Sequence, residues 1–157
     1  MNLEIIPHCG VEPFRFGVAE ALVEDHLGAP KFRSKRSFPP GTIELEYPGL
    51  AFAFDANGRL TQIGFDKHFN GKLILNGIDL FEDDAALSKL LKLDSDSHLW
   101  VGFVMLLGLS VRLGGFHEVA DEGRTVSIFE RGRYDIKRPR FTAFVPDSPH
   151  STPQSPT

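Results

Sequence analysis

Residues 43–65 read IELEYPGLAFAFDANGRLTQIGF, and three antiparallel strands can be read from that stretch. Ile43, Leu45 and Tyr47 alternate with Glu44 and Glu46, the two-residue period of a strand with one buried face. Pro48-Gly49 marks a turn. Leu50, Phe52 and Phe54 then alternate with Ala51 and Ala53. Asp55 to Gly58 closes on Asn57-Gly58, a hairpin-turn pair, and Leu60 to Phe65 makes the third strand. Sequence neighbours joined this tightly lie side by side, so the stretch folds as a β-meander.

Upstream, Val18, Leu22, Val23 and Leu27 fall at helical spacing. Gly17 stands at the N-cap, and Gly28 and Pro30 stop the helix. Lys31 to Thr42, with Pro39-Pro40-Gly41, reads as an exposed loop. Downstream, Asn70-Gly71 and Asn76-Gly77 mark turns around Lys72 to Leu75. Asp83 or Asp84 can cap a second helix whose apolar face is Leu87, Leu90 and Leu91. Strands are expected at about Trp100 to Leu106, Leu109 to Leu113 and Arg124 to Phe129.

The second half echoes the first. Gly49-Leu50 and Gly108-Leu109 each open a strand, and Arg59 and Arg124 each open the last strand of their half. The expected fold is therefore α+β: two similar helix–meander halves forming an antiparallel sheet, with both helices packed on one face. Residues 1–137 make one domain, with halves of about 1–81 and 82–137. Residues 138–157, with five prolines and many Ser and Thr, read as a loose tail.

Gly17 to Pro30 (GVAEALVEDHLGAP), with Phe52-Ala53-Phe54-Asp55 and Gly58-Arg59-Leu60, carries a family pattern. It is a helix ending Leu-Gly-x-Pro, followed by strands ending in Phe-Asp and Gly-Arg. The pattern resembles the helix-plus-meander family that includes the small lipoprotein of the outer-membrane β-barrel assembly machinery and the tandem-repeat β-lactamase inhibitor protein. The match is good over about the first 65 residues and loose afterwards. Ala19 stands where that family prefers a Ser or Thr cap, and Cys9 follows no hydrophobic leader as an acylated cysteine would. Pro13-Phe14-Arg15-Phe16-Gly17 also resembles the opening of a set of short bacterial proteins. The resemblance implies the fold and a binding role of inhibitor or immunity type.

The chain has 157 residues, 41% of them hydrophobic and 14 of them Phe, enough for an aromatic-rich core. Its net charge of -4 argues against a nucleic-acid partner. Cys9 is the only cysteine, so no internal disulfide forms and a reducing cytoplasm is expected. MNLEIIPHCG has no basic n-region and no long apolar run, so no secretory leader is expected in it. The longest uncharged apolar run, Leu99 to Val111, is too short to span a membrane and reads as a buried hairpin.

Motifs with chemical potential are few. His8 beside Cys9 could pair as base and nucleophile, but adjacent side chains diverge. Asp94, Asp96 and His98 would share one strand face as a weak metal site, but a polar loop between helix and strand is the favoured reading, and a calcium loop's glycine and closing glutamate are missing. His117-Glu118 and Asp121-Glu122 sit in a glycine-flanked loop and read as solvated charges. No P-loop, dinucleotide fingerprint, zinc quartet or nucleophile elbow is present, so no cofactor, metal or enzymatic activity is expected. Lys31, Arg33, Lys35 and Arg36 form one basic cluster; Arg131, Arg133, Lys137, Arg138 and Arg140 form another. Together they hold nine of the 17 basic residues and could frame an anionic partner surface. The expectation is a protein-binding module that uses the free sheet face, with Tyr47, Trp100, Phe103, Tyr134, Arg33, Arg36, Arg131 and Arg133 as contacts. The alternatives are a small enzyme or ligand-binding domain built on His26, His68 or His117, and a homodimer formed through exposed strand edges.

Overall fold

The computed structural model describes residues 1–37, 39–117 and 123–144. The elements in chain order are β1 (Asn2–Ile6), β2 (Gly10–Val11), β3 (Phe14–Arg15), α1 (Glu20–Leu27), β4 (Phe32–Arg36), β5 (Thr42–Tyr47), β6 (Leu50–Phe54), β7 (Leu60–Phe65), β8 (Lys72–Leu75) and β9 (Ile78–Asp79). Then come α2 (Ala86–Leu93), β10 (Ser97–Trp100), β11 (Phe103–Leu106), β12 (Val111–Gly114), β13 (Thr125–Phe129), a 3-10 helix (Asp135–Arg140) and β14 (Thr142–Ala143). The architecture is mixed and dominated by two sheets. A nine-stranded antiparallel sheet runs β14-β10-β11-β12-β13-β7-β6-β5-β4, and a five-stranded sheet runs β3-β2-β1-β8-β9.

The meander of residues 43–65 forms as its alternation predicts. One row of apolar side chains crosses six strands of the large sheet: Leu45 pairs Phe52, Phe52 pairs Ile63, Ile63 pairs Ile128, Ile128 pairs Val111, and Val111 pairs Leu106. All six are buried. Each contributes roughly 1.5–3 kcal/mol by leaving water, so this row anchors the fold. Side chains alternate across a sheet, so Glu44, Glu46, Ala51, Ala53, Gln62, Gly64, Ser127 and Arg112 point to the opposite face. The turn between β6 and β7 closes on Asp55, whose carboxylate accepts the N–H groups of Asn57 and Arg59.

Several expectations need correction. The sheet is not single. Residues 2–15 and 72–79 form the second sheet, in which β1 and β8 pair in parallel. Leu3 and Ile5 on β1, and Leu73 and Leu75 on β8, supply its buried face. The segment Lys31 to Thr42 is not all loop, because β4 pairs with β5 from Phe32 to Arg36. Its FRSKR sequence lacks apolar alternation because β4 is an edge strand, and basic side chains there discourage a further strand from adding. The run Trp100 to Leu106 is two strands, turned at Val101 and Gly102, which have φ 42° and 87°. Helix α1 starts after Ala19 rather than Gly17, and α2 starts after Ala85, whose N–H is held by the Asp83 carboxylate. Finally, the boundary at residue 138 falls inside the 3-10 helix, and β14 pairs with β10. Residues 145–157 of the expected tail lie outside the described residues. Among the described residues, no helix is long and apolar enough to cross a membrane.

Candidate binding face on the large sheet

The face opposite the main core is partly covered. After β13 the chain turns back across β10 to β13. The Tyr134 ring meets Phe129 at 4.7 Å and Trp100 at 5.8 Å, and Phe141 meets Trp100 at 5.8 Å. The expected free face is therefore free mainly over β5, β6 and β7. There, small residues (Ala51, Ala53 and Gly64) floor a groove of about 240 Å³, with Glu44 and Glu46 on one side and Arg112 on the other.

A second recess of about 170 Å³ adjoins it at Arg112. It is lined by Trp100, Arg112, Arg133, Tyr134, Ile136 and Lys137, and by Pro39 from the β4–β5 connection. One hydrogen-bond network builds it. Arg112 donates to the Tyr134 hydroxyl at 3.1 Å and to Ser127 Oγ at 3.1 Å. Tyr134 donates onward to Gln62 Oε1 at 2.9 Å, and the same oxygen accepts Arg133 Nε at 2.5 Å. Arg133 also donates to Thr61 Oγ1 at 3.2 Å. The Arg112 guanidinium lies over the Phe103 ring, 4.4 Å from its centroid. The network ties β7 to β12, β13 and the segment after it, so the recess sits beside the network that crosses the β7–β13 seam.

Of the residues singled out in the sequence, Trp100, Phe103, Tyr134 and Arg133 come together here. The others do not. Tyr47 packs edge-on against Phe52 and donates its hydroxyl to the Gly28 carbonyl at 2.8 Å, so it anchors the end of α1. Arg33 pairs with Glu20, and Arg36 with Glu44, as exposed ion pairs along β4 that solvent screens. Arg131 is exposed in the turn after β13. Arg112, Gln62 and Ser127 were missed, although a signal exists. Each is a polar residue alternating with buried apolar ones inside a strand, which directs it to the second face.

The groups considered for chemistry are dispersed. His26 meets Phe14 and His117 meets Phe144, while His68 is exposed in the turn after β7. Glu118, Asp121 and Glu122 lie outside the described residues. His8 does not pair with Cys9. Its Nε2–H donates to the Gly108 carbonyl at 2.8 Å, which leaves Nδ1 to accept the Ser110 hydroxyl at 2.6 Å. Ser110 is 2% exposed, so this pair pins the N-terminal hairpin to the β11–β12 connection and offers no accessible nucleophile. The three DSDSH residues do not converge. The buried Asp94 carboxylate accepts the N–H groups of Asp96 and Leu109, whereas Asp96 bonds His98 and Arg138. Among the described residues, no cluster of three potential metal ligands occurs.

Asp96 holds the covering segment. The His98 hydrogen bond, helped by Arg138, keeps its carboxyl below the ordinary aspartate range. A depressed carboxyl contributes stability above its unfolded pKa and loses it as pH falls through the folded value. Acidification below the ordinary aspartate value should therefore loosen the 3-10 helix and β14. Trp100 is the only tryptophan and packs on Phe141, so its fluorescence reports the change. Asp96→Asn should show the loosened signal already at neutral pH. An Asn variant with the wild-type pH profile would refute this.

Compared with known proteins, the chain matches no family model, no curated protein and no solved structure.

Proposed function

We propose that the chain is a non-enzymatic protein-binding module of inhibitor or immunity type, working in the cytoplasm through the second face of its large sheet. The observation that carries this is the seam recess. Two half-buried guanidiniums, Arg112 and Arg133, are held in place by neutral oxygens beside Trp100 and Tyr134. Tyr, Trp and Arg in a partly desolvated pocket are the composition of interface hot spots. Both depressions on this face are smaller than the roughly 300–1,000 Å³ of small-molecule sites, although a recess of about 490 Å³ lined by Ile5, Leu75, Leu93 and Leu109 falls within that range.

The reading includes an internal repeat of two helix–meander halves, with both helices on the core face. Its support is the ladder. Phe52 pairs Ile63 just as Val111 pairs Ile128, which sets Gly49-Leu50 and Gly108-Leu109 at equivalent places. Ile63 pairs Ile128 across the seam, the contact that a local two-fold axis would generate. Val23 of α1 and Leu90 of α2 share one buried cluster with this row.

The test is recovery from the native host with tagged wild type and an Arg112→Glu/Arg133→Glu double variant. Wild type should retain one protein in stoichiometric amount, and the folded double variant should lose it. The absence of any stoichiometric partner would remove the proposal.

A further inference from the structure

We infer that the seam recess receives the carboxylate of an aspartate or glutamate side chain from that protein partner; the inference rests on the binding-module reading above. The first argument is unspent charge. Arg15, Arg33, Arg36, Arg59 and Arg138 each pair with a carboxylate. Among the described residues, Arg112 and Arg133 pair with none, although they are half-buried; Arg124, also half-buried, donates to the Leu80 and Asp83 backbone carbonyls, and Arg131 and Arg140 are exposed. Arg112 bonds only Tyr134 and Ser127, and Arg133 only Gln62 and Thr61. Burying a cation partway without an anion is unfavourable, and a docked carboxylate corrects it.

The second argument is preorganisation. The Arg112 guanidinium rests over Phe103 at 4.4 Å, and Gln62 and Thr61 hold that of Arg133. Both guanidinium carbons lie within about 6 Å of the Tyr134 ring centroid. Each guanidinium has five N–H donors and gives two of them to its neutral partners, so donors remain for a carboxylate. Lys137 lines the same recess. Trp100, Tyr134 and the 72% exposed Ile136 form an apolar rim that would shield the ion pair from water.

Size and surroundings select the ligand. About 170 Å³ accommodates one side-chain end. The adjoining groove carries Glu46, and Glu44 in its pair with Arg36, and the Glu46 charge opposes a dianionic phosphate more strongly than a monoanionic carboxylate.

The probe is N-acetyl-aspartate N-methylamide, titrated into the full chain at constant ionic strength and followed by Trp100 fluorescence. Its asparagine analogue and inorganic phosphate form parallel arms. The expected result is saturable binding of the aspartate probe at about millimolar concentration, with no response to the asparagine analogue and weaker binding of phosphate. Arg133→Gln should weaken the aspartate response about tenfold. Arg112→Lys, which keeps the charge and loses the fork, should weaken it too and guards against misfolding of a larger change. Equal response to both amides, no saturation, or tighter phosphate binding would overturn the assignment. Failure here with a stoichiometric partner still recovered would leave the module reading standing. Success here without a partner would remove the module reading and keep the site.

Discussion

Replacing Phe52 with alanine is expected to cost the fold about 4 kcal/mol. Phe52 is fully buried in the row that crosses the large sheet. Its ring meets Phe14 at 5.1 Å and Tyr47 at 5.8 Å, both edge-on. Phe14 belongs to β3 of the small sheet, so Phe52 is where the two sheets lock together. Truncation removes the transfer free energy of the ring and leaves a cavity between two sheets, neither of which can collapse into it alone. A domain this size has only about 5–15 kcal/mol in total, so the variant should be marginal at room temperature. Phe52→Leu should cost much less, about 1–2 kcal/mol. Urea denaturation measures both, and a loss below about 1 kcal/mol for the alanine variant would contradict this packing.

The second large effect is expected at a glycine. Gly49 turns the chain from β5 to β6 at φ 75°, and a Cβ built there would lie 2.2 Å from the Phe69 nitrogen and 2.5 Å from the His68 carbonyl carbon. Gly49→Ala must therefore strain a left-handed residue and push back the turn after β7. Roughly 1–2 kcal/mol comes from the conformation and roughly 1–3 kcal/mol more from the displaced backbone. Gly58 provides the control. It has φ 77°, but nothing lies within 4 Å of its would-be Cβ. Gly58→Ala should therefore show the conformational part alone. Equal losses for the two variants would mean that the Gly49–Phe69 approach is wrong.

What could be read in advance depended on whether local pattern or distant pairing decides the structure. Residues 43–65 were legible because strict alternation and two strong turns leave one arrangement, and Gly28 ended α1 as expected, at φ 81°. Strand β4 was not legible, because an edge strand buries little and its FRSKR sequence has no period to detect. The small sheet was hidden for another reason. Its β1–β8 pairing joins residues 70 apart in parallel, with no local signal of the partner. The candidate binding face divides the same way. Trp100, Phe103, Tyr134 and Arg133 stood out by residue type. Gln62, Ser127 and Arg112 acquire meaning only when β7 meets β13 and the chain after β13 folds back over them. Tyr47 lies apart from the recess, and residue type alone could not show that its hydroxyl would bond the Gly28 carbonyl at the end of α1.

The claim that the seam recess is the contact surface is tested most directly by hydroxyl-radical footprinting of the chain alone and with the recovered partner. Phe32 on β4 is 57% exposed and Leu93 on α2 is 45% exposed; both lie away from the recess and serve as internal references. The account predicts that oxidation of Trp100, Tyr134 and Ile136 falls on binding while that of Phe32 and Leu93 is unchanged. Protection of Phe32 or Leu93, with Trp100, Tyr134 and Ile136 oxidised as before, would contradict it.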